Sequence, residues 1–158
     1  SETLFSDYYR QYNIDIRIAR IFNTYGPKME INDGRVISNF FVQAINNRPI
    51  TIYGKGNHSR SFCYIDDLIE GLISLMESNV TSPVNLGNPN EVSILELANE
   101  IKSVTQSSSN IVFRDLPIDD PMMRKPDIAK AKKLLNWTPT ISREEGLLKT
   151  YKYYKNIL

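Results

Sequence analysis

The chain has 158 residues, 41% of them hydrophobic and 23% charged, with 19 basic against 18 acidic side chains and a formal net charge of +1. That length suits one domain of an ordinary soluble globular protein; no long basic run marks a nucleic-acid footprint, and no apolar run approaches the roughly 20 residues of a membrane helix. One cysteine, Cys63, excludes an internal disulfide framework, and one histidine, His58, excludes a multi-histidine metal site, so no metal is expected.

Residues 1–12 read as a helix, with Leu4, Phe5, Tyr8 and Tyr12 at helical spacing. The opening SETLFSDYYRQY has the character of a helix interior or end rather than of a natural beginning, and a fragment of a longer protein is the expectation. IDIRIARIF alternates and is β-branched, which predicts a strand over 14–22. It runs into FNTYGP, more polar and turn-forming side chains than a surface turn needs, and suited to a ligand pocket at a strand end. GPKMEINDG is loop. RVISNFFVQAINN puts Val36, Ile37, Phe40, Phe41, Ala44 and Ile45 on one helical face. PITIYG and RSFCYI are short extended pieces, and the GKGNHSR between them predicts an exposed loop carrying His58.

DDLIEGLISLMES predicts a helix with Asp66 or Asp67 as its N-cap, and PVNLGN a strand closed by a glycine turn. SILELANEIKSVT begins with a capping box, Ser93 with Glu96. A polar loop at 106–110 leads into the strand IVFRD. LPIDDPMMRKP holds three prolines and is expected to be irregular and extended. DIAKAKKLLNW predicts a helix capped by Asp127, its lysines a solvated face. SREEGLLKTYKYYKNIL closes the chain as a helix with a second capping box, Ser142 with Glu145. Alternating strands and helices make the class α/β or α+β.

The common nucleophile and phosphate motifs are absent: there is no G-x-S-x-G, no G-x-G-x-x-G and no P-loop. What remains is four polar loop clusters, FNTYGP, NDGR, YGKGNHSR and DDPMMRKPD, three of which carry an arginine: Arg35, Arg60 and Arg124. Converging guanidinium forks suit an anionic ligand such as a nucleotide diphosphate; each could equally pair with a nearby carboxylate or face water. Asp66 with Asp67, and Asp119 with Asp120, read as caps and turns rather than as acid/base pairs.

Taken together, RIARIFNTYGPKM, NDGRVISNFFVQA, PITIYGKGNHSRSFCYIDDLIEGL, PVNLGNP and DDPMMRKPDIAKAKKLLNWTP resemble the carboxy-terminal half of an extended short-chain dehydrogenase/reductase, within the NAD-dependent epimerase/dehydratase superfamily. Among its members the chain is most similar to the UDP-glucuronate decarboxylases, or UDP-xylose synthases; NDGRVISNF, DDP and RKPDI favour these over sugar epimerases and dTDP-glucose dehydratases. The resemblance implies an α/β fold. Residues 1–28 would close a Rossmann-type NAD-binding domain, most of it missing, and 29–158 would form the smaller nucleotide-sugar-binding domain with strands returning to the sheet. It implies NAD as cofactor, a UDP-sugar as ligand, and oxidation of UDP-glucuronate at C4, loss of carbon dioxide from the 4-keto acid, and reduction to UDP-xylose. It also implies a homodimer formed through the helix at 1–12. A cytoplasmic location is expected, with the Golgi lumen open should an amino-terminal region carry a signal anchor.

By the same resemblance Asn23 lies beside the sugar and diphosphate, and Thr24 near the nicotinamide. Arg35, Val36 and Asn39 open the helix whose amino end faces the diphosphate. Thr51 and Tyr53 line the uridine site, Arg60 contacts phosphate or ribose, and Arg124 meets the substrate carboxylate. Simpler roles stay open: Asn23 as a turn cap, Val36 as core packing, Tyr53 acting through its backbone, Tyr25 as structural. The family's glycine motif and catalytic Tyr-x-x-x-Lys are absent from their places. Tyr151 with Lys155 matches the spacing but falls in the final helix, where packing and solvation explain it. The chain alone is therefore expected neither to bind NAD tightly nor to turn over; a stand-alone nucleotide-sugar-binding module is the competing reading.

Overall fold

A computed structural model describes residues 2–115 and 123–158. The strands are short and pair mainly in parallel. β1 (Ala19–Ile21) lies beside β6 (Val84–Leu86), β2 (Thr24–Tyr25) beside β5 (Cys63–Tyr64), and β3 (Ile50–Tyr53) beside β8 (Ile111–Arg114). β4 (Ser59–Ser61) is flanked by antiparallel β7 (Glu91–Ser93) and parallel β9 (Met123–Arg124). Parallel partners need long crossovers, and helices supply them. α1 (Glu2–Tyr12) precedes β1, α2 (Val36–Ile45) joins β2 to β3, α3 (Ile65–Glu77) joins β5 to β6, and α4 (Ile94–Thr105) joins β7 to β8. α5 (Ala129–Leu135) and α6 (Arg143–Tyr154) follow β9. The class is α/β.

Two cores form. In the first, α2 turns Ile37, Phe40, Phe41 and Ala44 inward at helical spacing, against Ile94, Leu97, Ala98 and Ile101 of α4, Leu147 and Tyr154 of α6, and Ile50 and Ile52 of β3. Phe41 meets Tyr154 edge-on at 5.6 Å, and the Tyr154 hydroxyl donates to the Met29 carbonyl at 3.0 Å, tying α6 to the loop before α2. A Cβ on Gly146 would sit 2.3 Å from the Tyr25 hydroxyl oxygen, so only glycine lets α6 lie this close to β2.

The second core gathers Cys63, Leu68, Leu75, Val84, Leu86, Ala131 and Trp137 between β6, α3 and α5. Its latch is Asp67. The carboxylate accepts hydrogen bonds from the Thr140 amide at 2.9 Å, the Thr140 hydroxyl at 3.1 Å and the Ile141 amide at 3.1 Å, while Trp137 Nε1 donates to the Asp67 carbonyl at 2.9 Å. Asp67 is therefore no N-cap: Tyr64 occupies that position with no side-chain cap, and the carboxylate is buried, closing a turn 70 residues away.

Other departures from the sequence reading have similar causes. The expected strand over 14–22 shrinks to Ala19–Ile21 because Asn13, at φ 52°, turns the chain after α1 and β6 offers three residues to pair with. β7 was hidden in the sequence by the capping box that follows it. That box forms as expected, Ser93 and Glu96 bonding reciprocally. Asp127 accepts from the Ala129 amide at 2.9 Å, but the helix begins later than 127 and no side chain bonds from its N-cap, Ile128. Part of the proline-rich stretch is a strand, β9; Asp119 and Asp120 lie outside the described residues.

Candidate functional site

Two clefts adjoin where α2 begins. The larger, about 990 Å³, opens at the carboxy end of β1 and the start of β2 and is lined by Phe22, Asn23, Thr24, Arg35, Val36 and Arg60, among others. The smaller, about 380 Å³, runs between α2 and β3 and is lined by Val36, Asn39, Thr51, Tyr53, His58 and Arg60, with Phe40, Ile52 and Ile94 as an apolar floor. Gly34, Val36 and Arg60 line both, so one ligand can thread from one cleft into the other. Crevices at the carboxy ends of parallel strands are where open α/β sheets bind ligands.

Each wall has a local cause. The Asn23 carbonyl accepts from the Cys63 amide at 2.8 Å, and its side chain donates to the Ser61 carbonyl at 3.3 Å, so Asn23 bridges β1's exit to the β4–β5 segment. Thr24 donates its hydroxyl to the Phe22 carbonyl at 2.9 Å. Asp33 organises the entry to α2: it accepts from the Arg35 amide at 2.9 Å and from the Ser38 hydroxyl, and lies 3.4 Å from the Arg35 guanidinium. The first turn of α2 then has neither an acidic residue nor a side-chain cap, leaving its amide end fit to face an anion. Asn39 donates back to the Gly34 carbonyl at 3.1 Å, and Gln43 Oε1 accepts from the Thr51 amide at 3.1 Å, fixing α2 against β3.

Arg60 is 8% exposed, with one guanidinium nitrogen donating to the Ser59 carbonyl at 2.9 Å. His58, two residues before Arg60, lines the smaller cleft with it. It lies in the loop expected, immediately before β4, but is not exposed there: it too is 8% exposed, and its carbonyl accepts from the Ile94 amide at 3.2 Å, which holds the start of α4 against it. Arg114, opposite Tyr53 across the β3–β8 ladder, adds another cation to the rim.

Eight of the nine residues singled out in the sequence, Asn23, Thr24, Arg35, Val36, Asn39, Thr51, Tyr53 and Arg60, line this pair of clefts. The ninth, Arg124, sits across from Arg60 in the β4–β9 register; its side chain lies outside what is described. His58, Gln43 and Arg114 were missed, though i, i+2 spacing from Arg60 could have found the first.

The remaining reactive groups are structural. Burial pushes the Cys63 thiol up to about 12, which keeps it protonated and inert. Burial likewise raises Tyr25, whose hydroxyl donates to the Arg143 carbonyl at 3.3 Å. Tyr151 packs against the first core, and Lys155 is exposed at the end of α6, so that pair lines neither cleft. Among the described residues no group of His, Cys, Asp or Glu could hold a metal ion, and no helix is long and apolar enough to cross a membrane.

A model of the NAD dependent epimerase/dehydratase family matches residues 1–87, more than half of the chain. The chain belongs to that family. Beyond this family match, the chain is 51% identical over 158 residues to UDP-glucuronic acid decarboxylase 1 of Danio rerio, covering 100% of this chain and 38% of that protein. It is 52% identical over 147 residues to UDP-glucuronic acid decarboxylase 3 of Arabidopsis thaliana, covering 93% of this chain and 43% of that protein. The chain thus spans about two fifths of the length of these relatives. Among solved structures it is similar to the UDP-glucuronic acid 4-epimerase from Bacillus cereus in complex with UDP-glucuronic acid and NAD, with a TM-score of 0.90 and 30% identity over 99% of this chain and 50% of that one. It is also similar to the UDP-glucose 4-epimerase from Thermotoga maritima with UDP-glucose, with a TM-score of 0.94 and 25% identity over 99% of this chain and 51% of that one.

Membership in an NAD dependent family raises the question of which residues here suit the cofactor. Asn23 and Thr24 line the larger cleft with polar side chains, whereas the glycine-rich turn that cradles a dinucleotide's diphosphate has no counterpart in this sequence.

Proposed function

We propose that this chain is the nucleotide-sugar-binding half of an NAD-dependent UDP-glucuronate decarboxylase, which makes UDP-xylose through a 4-keto intermediate, and that alone it is inactive. The observation that carries this is the meeting of the two clefts at Arg60. A buried cation, an uncapped helix amino end and a flat apolar slot lie in sequence, matching the diphosphate and base of a UDP-sugar. Bound NAD would supply reversible hydride transfer at the sugar. This chain's share is to hold the ligand: Arg60 and the start of α2 take the diphosphate, Thr51 and Tyr53 border the uridine, and Asn23 and Thr24 stand at the sugar and nicotinamide end. Arg124, beside Arg60 in register, is assigned to the substrate carboxylate, where a cation orients the acid for oxidation at C4. The family's Tyr-x-x-x-Lys pair, absent from its place in this chain, is assigned to the remainder of the full-length enzyme.

Identity of about 51% to decarboxylases, against 30% to the UDP-glucuronic acid 4-epimerase, favours decarboxylation over epimerisation. The test is calorimetric titration with UDP-glucuronate, and an assay in which UDP-glucuronate, UDP-glucose and dTDP-glucose compete in the full-length enzyme. Expected are carbon dioxide release from UDP-glucuronate alone, and binding weakened at least tenfold by Arg60→Ala. Turnover of UDP-glucuronate without carbon dioxide would make the protein an epimerase, and turnover by this chain alone would refute its assignment as an inactive half.

The same reading includes a homodimer through α1, which buries no residue of its own and leaves Leu4, Phe5, Tyr8 and Tyr12 exposed to solvent. Sedimentation of a Phe5→Glu, Tyr8→Glu variant should report a monomer; a dimer that persists removes α1 from the interface.

A further inference from the structure

His58 is the one histidine of the chain, and its setting is unlike that of a packed core residue. It is more than nine-tenths buried. Among the described residues its ring has no hydrogen-bond partner, whereas its backbone carbonyl accepts from the Ile94 amide at 3.2 Å. Yet among the described residues no fully enclosed side-chain nitrogen or oxygen lacks a partner. The ring nitrogens therefore keep contact with open space, and the space His58 borders is the smaller cleft. A polar ring that borders a cleft with an apolar floor is placed to meet the polar atoms of whatever fills that cleft.

We infer that His58 hydrogen-bonds an oxygen of the ribose–phosphate unit of the bound nucleotide, alongside Arg60. The inference rests on the proposed UDP-sugar reading and adds a contact to it. Its geometry comes from position: His58 immediately precedes β4, two residues before Arg60, both line the same cleft, and two residues of extended chain span about 7 Å. A group gripped by Arg60 is then within one ribose or one phosphate of the imidazole. Thr51, Tyr53 and Arg114 also bring polar groups to this cleft, at β3 and its partner β8. Phe40, Ile52 and Ile94 are apolar, and Asn39 and Gln43 are already engaged with the Gly34 carbonyl and the Thr51 amide. Either ring nitrogen can donate or accept as the tautomer requires.

Because the chain has one histidine, its imidazole signals can be read directly in ¹⁵N-histidine-labelled protein, with His58→Gln confirming them by their loss. UDP and uridine are the probes. The expected result is a saturable shift of the ring nitrogens with UDP, UDP binding about ten- to a hundredfold weaker in His58→Phe, and recovery to within about threefold in His58→Gln, which restores an amide donor and acceptor. A ring shift with UDP but not uridine assigns the contact to a phosphate oxygen; a shift with both assigns it to the ribose. UDP binding that leaves the ring signals unmoved and is equal in wild type and His58→Phe overturns this inference alone. Failure of the wild-type chain to bind UDP overturns both it and the reading beneath it. Unchanged thermal melting of His58→Gln guards against a folding artefact.

Discussion

The two cores solve the same problem to different degrees. The first is the larger: α2 and α4 turn their large apolar side chains into it and leave none in solvent, and α6 seals the side with Leu147 and Tyr154, while Tyr53 on β3 and Leu148 on α6 stay exposed at its border. The second is smaller, and the elements that build it still carry large apolar side chains outside, Ile21 on β1 and Ile69, Ile73 and Met76 on α3. The difference teaches where the candidate site gets its rigidity. The smaller cleft takes its floor from the first core, through Phe40, Ile52 and Ile94. The larger cleft has Asn23 and Thr24 at the exit of β1, whose partner β6 belongs to the second core, and Ile37 and Phe62 of the first core on its other side.

The largest test of this contrast is Phe41→Ala. Removing a fully buried ring that packs on Tyr154 is expected to cost about 3–5 kcal/mol in urea unfolding and to weaken nucleotide binding with it. A cost below about 1 kcal/mol would mean that the first core is not the stable one. Next comes Cys63, a reporter inside the second core. With its thiol pushed up to about 12, alkylation near pH 8.5 should be roughly a thousandfold slower than for a free cysteine, and fast in denaturant. Stability should also fall as pH rises from about 9 towards 12, because there the unfolded thiol has lost its proton while the native one keeps it, and Cys63→Ala should flatten that slope. Rapid labelling without denaturant would reveal a second core that opens readily. The smallest effect is expected for Asp67→Ala, about 2–3 kcal/mol, since two amides and a hydroxyl lose their acceptor. Hydrogen exchange should then quicken at Thr140 and Ile141 while α2 and α4 keep their protection; loss of protection everywhere would mean that the cores unfold as one.

Local chemistry was legible in the sequence where it acts locally. The Ser93–Glu96 box and the apolar stripe of α2 need no knowledge of the rest of the chain, and the structure has both. Most candidate site residues were legible for a different reason: they sit in motifs shared with a family, and the clefts collect eight of them. What stayed hidden depends on partners far along the chain. Asp67 looks like a cap until Thr140 and Ile141 arrive, and His58 looks exposed until the start of α4 bonds to its carbonyl through Ile94. The 14–22 segment alternates throughout, yet only the three residues facing β6 become strand. Pattern states what a segment can do; the neighbours decide how much of it does so.

β4's place in the middle of a three-stranded sheet carries a consequence for how the site tolerates change. Strand registry is counted in whole residues, so the position of Arg60 is discrete. A one-residue slip against β7 or β9 would not shift its guanidinium slightly; it would turn Arg60 and His58 to the opposite face and bring Ser59 and Ser61 into the cleft. Insertions or deletions in the loops flanking β4 should therefore behave as switches, leaving nucleotide binding whole or abolishing it, whereas side-chain substitutions grade it.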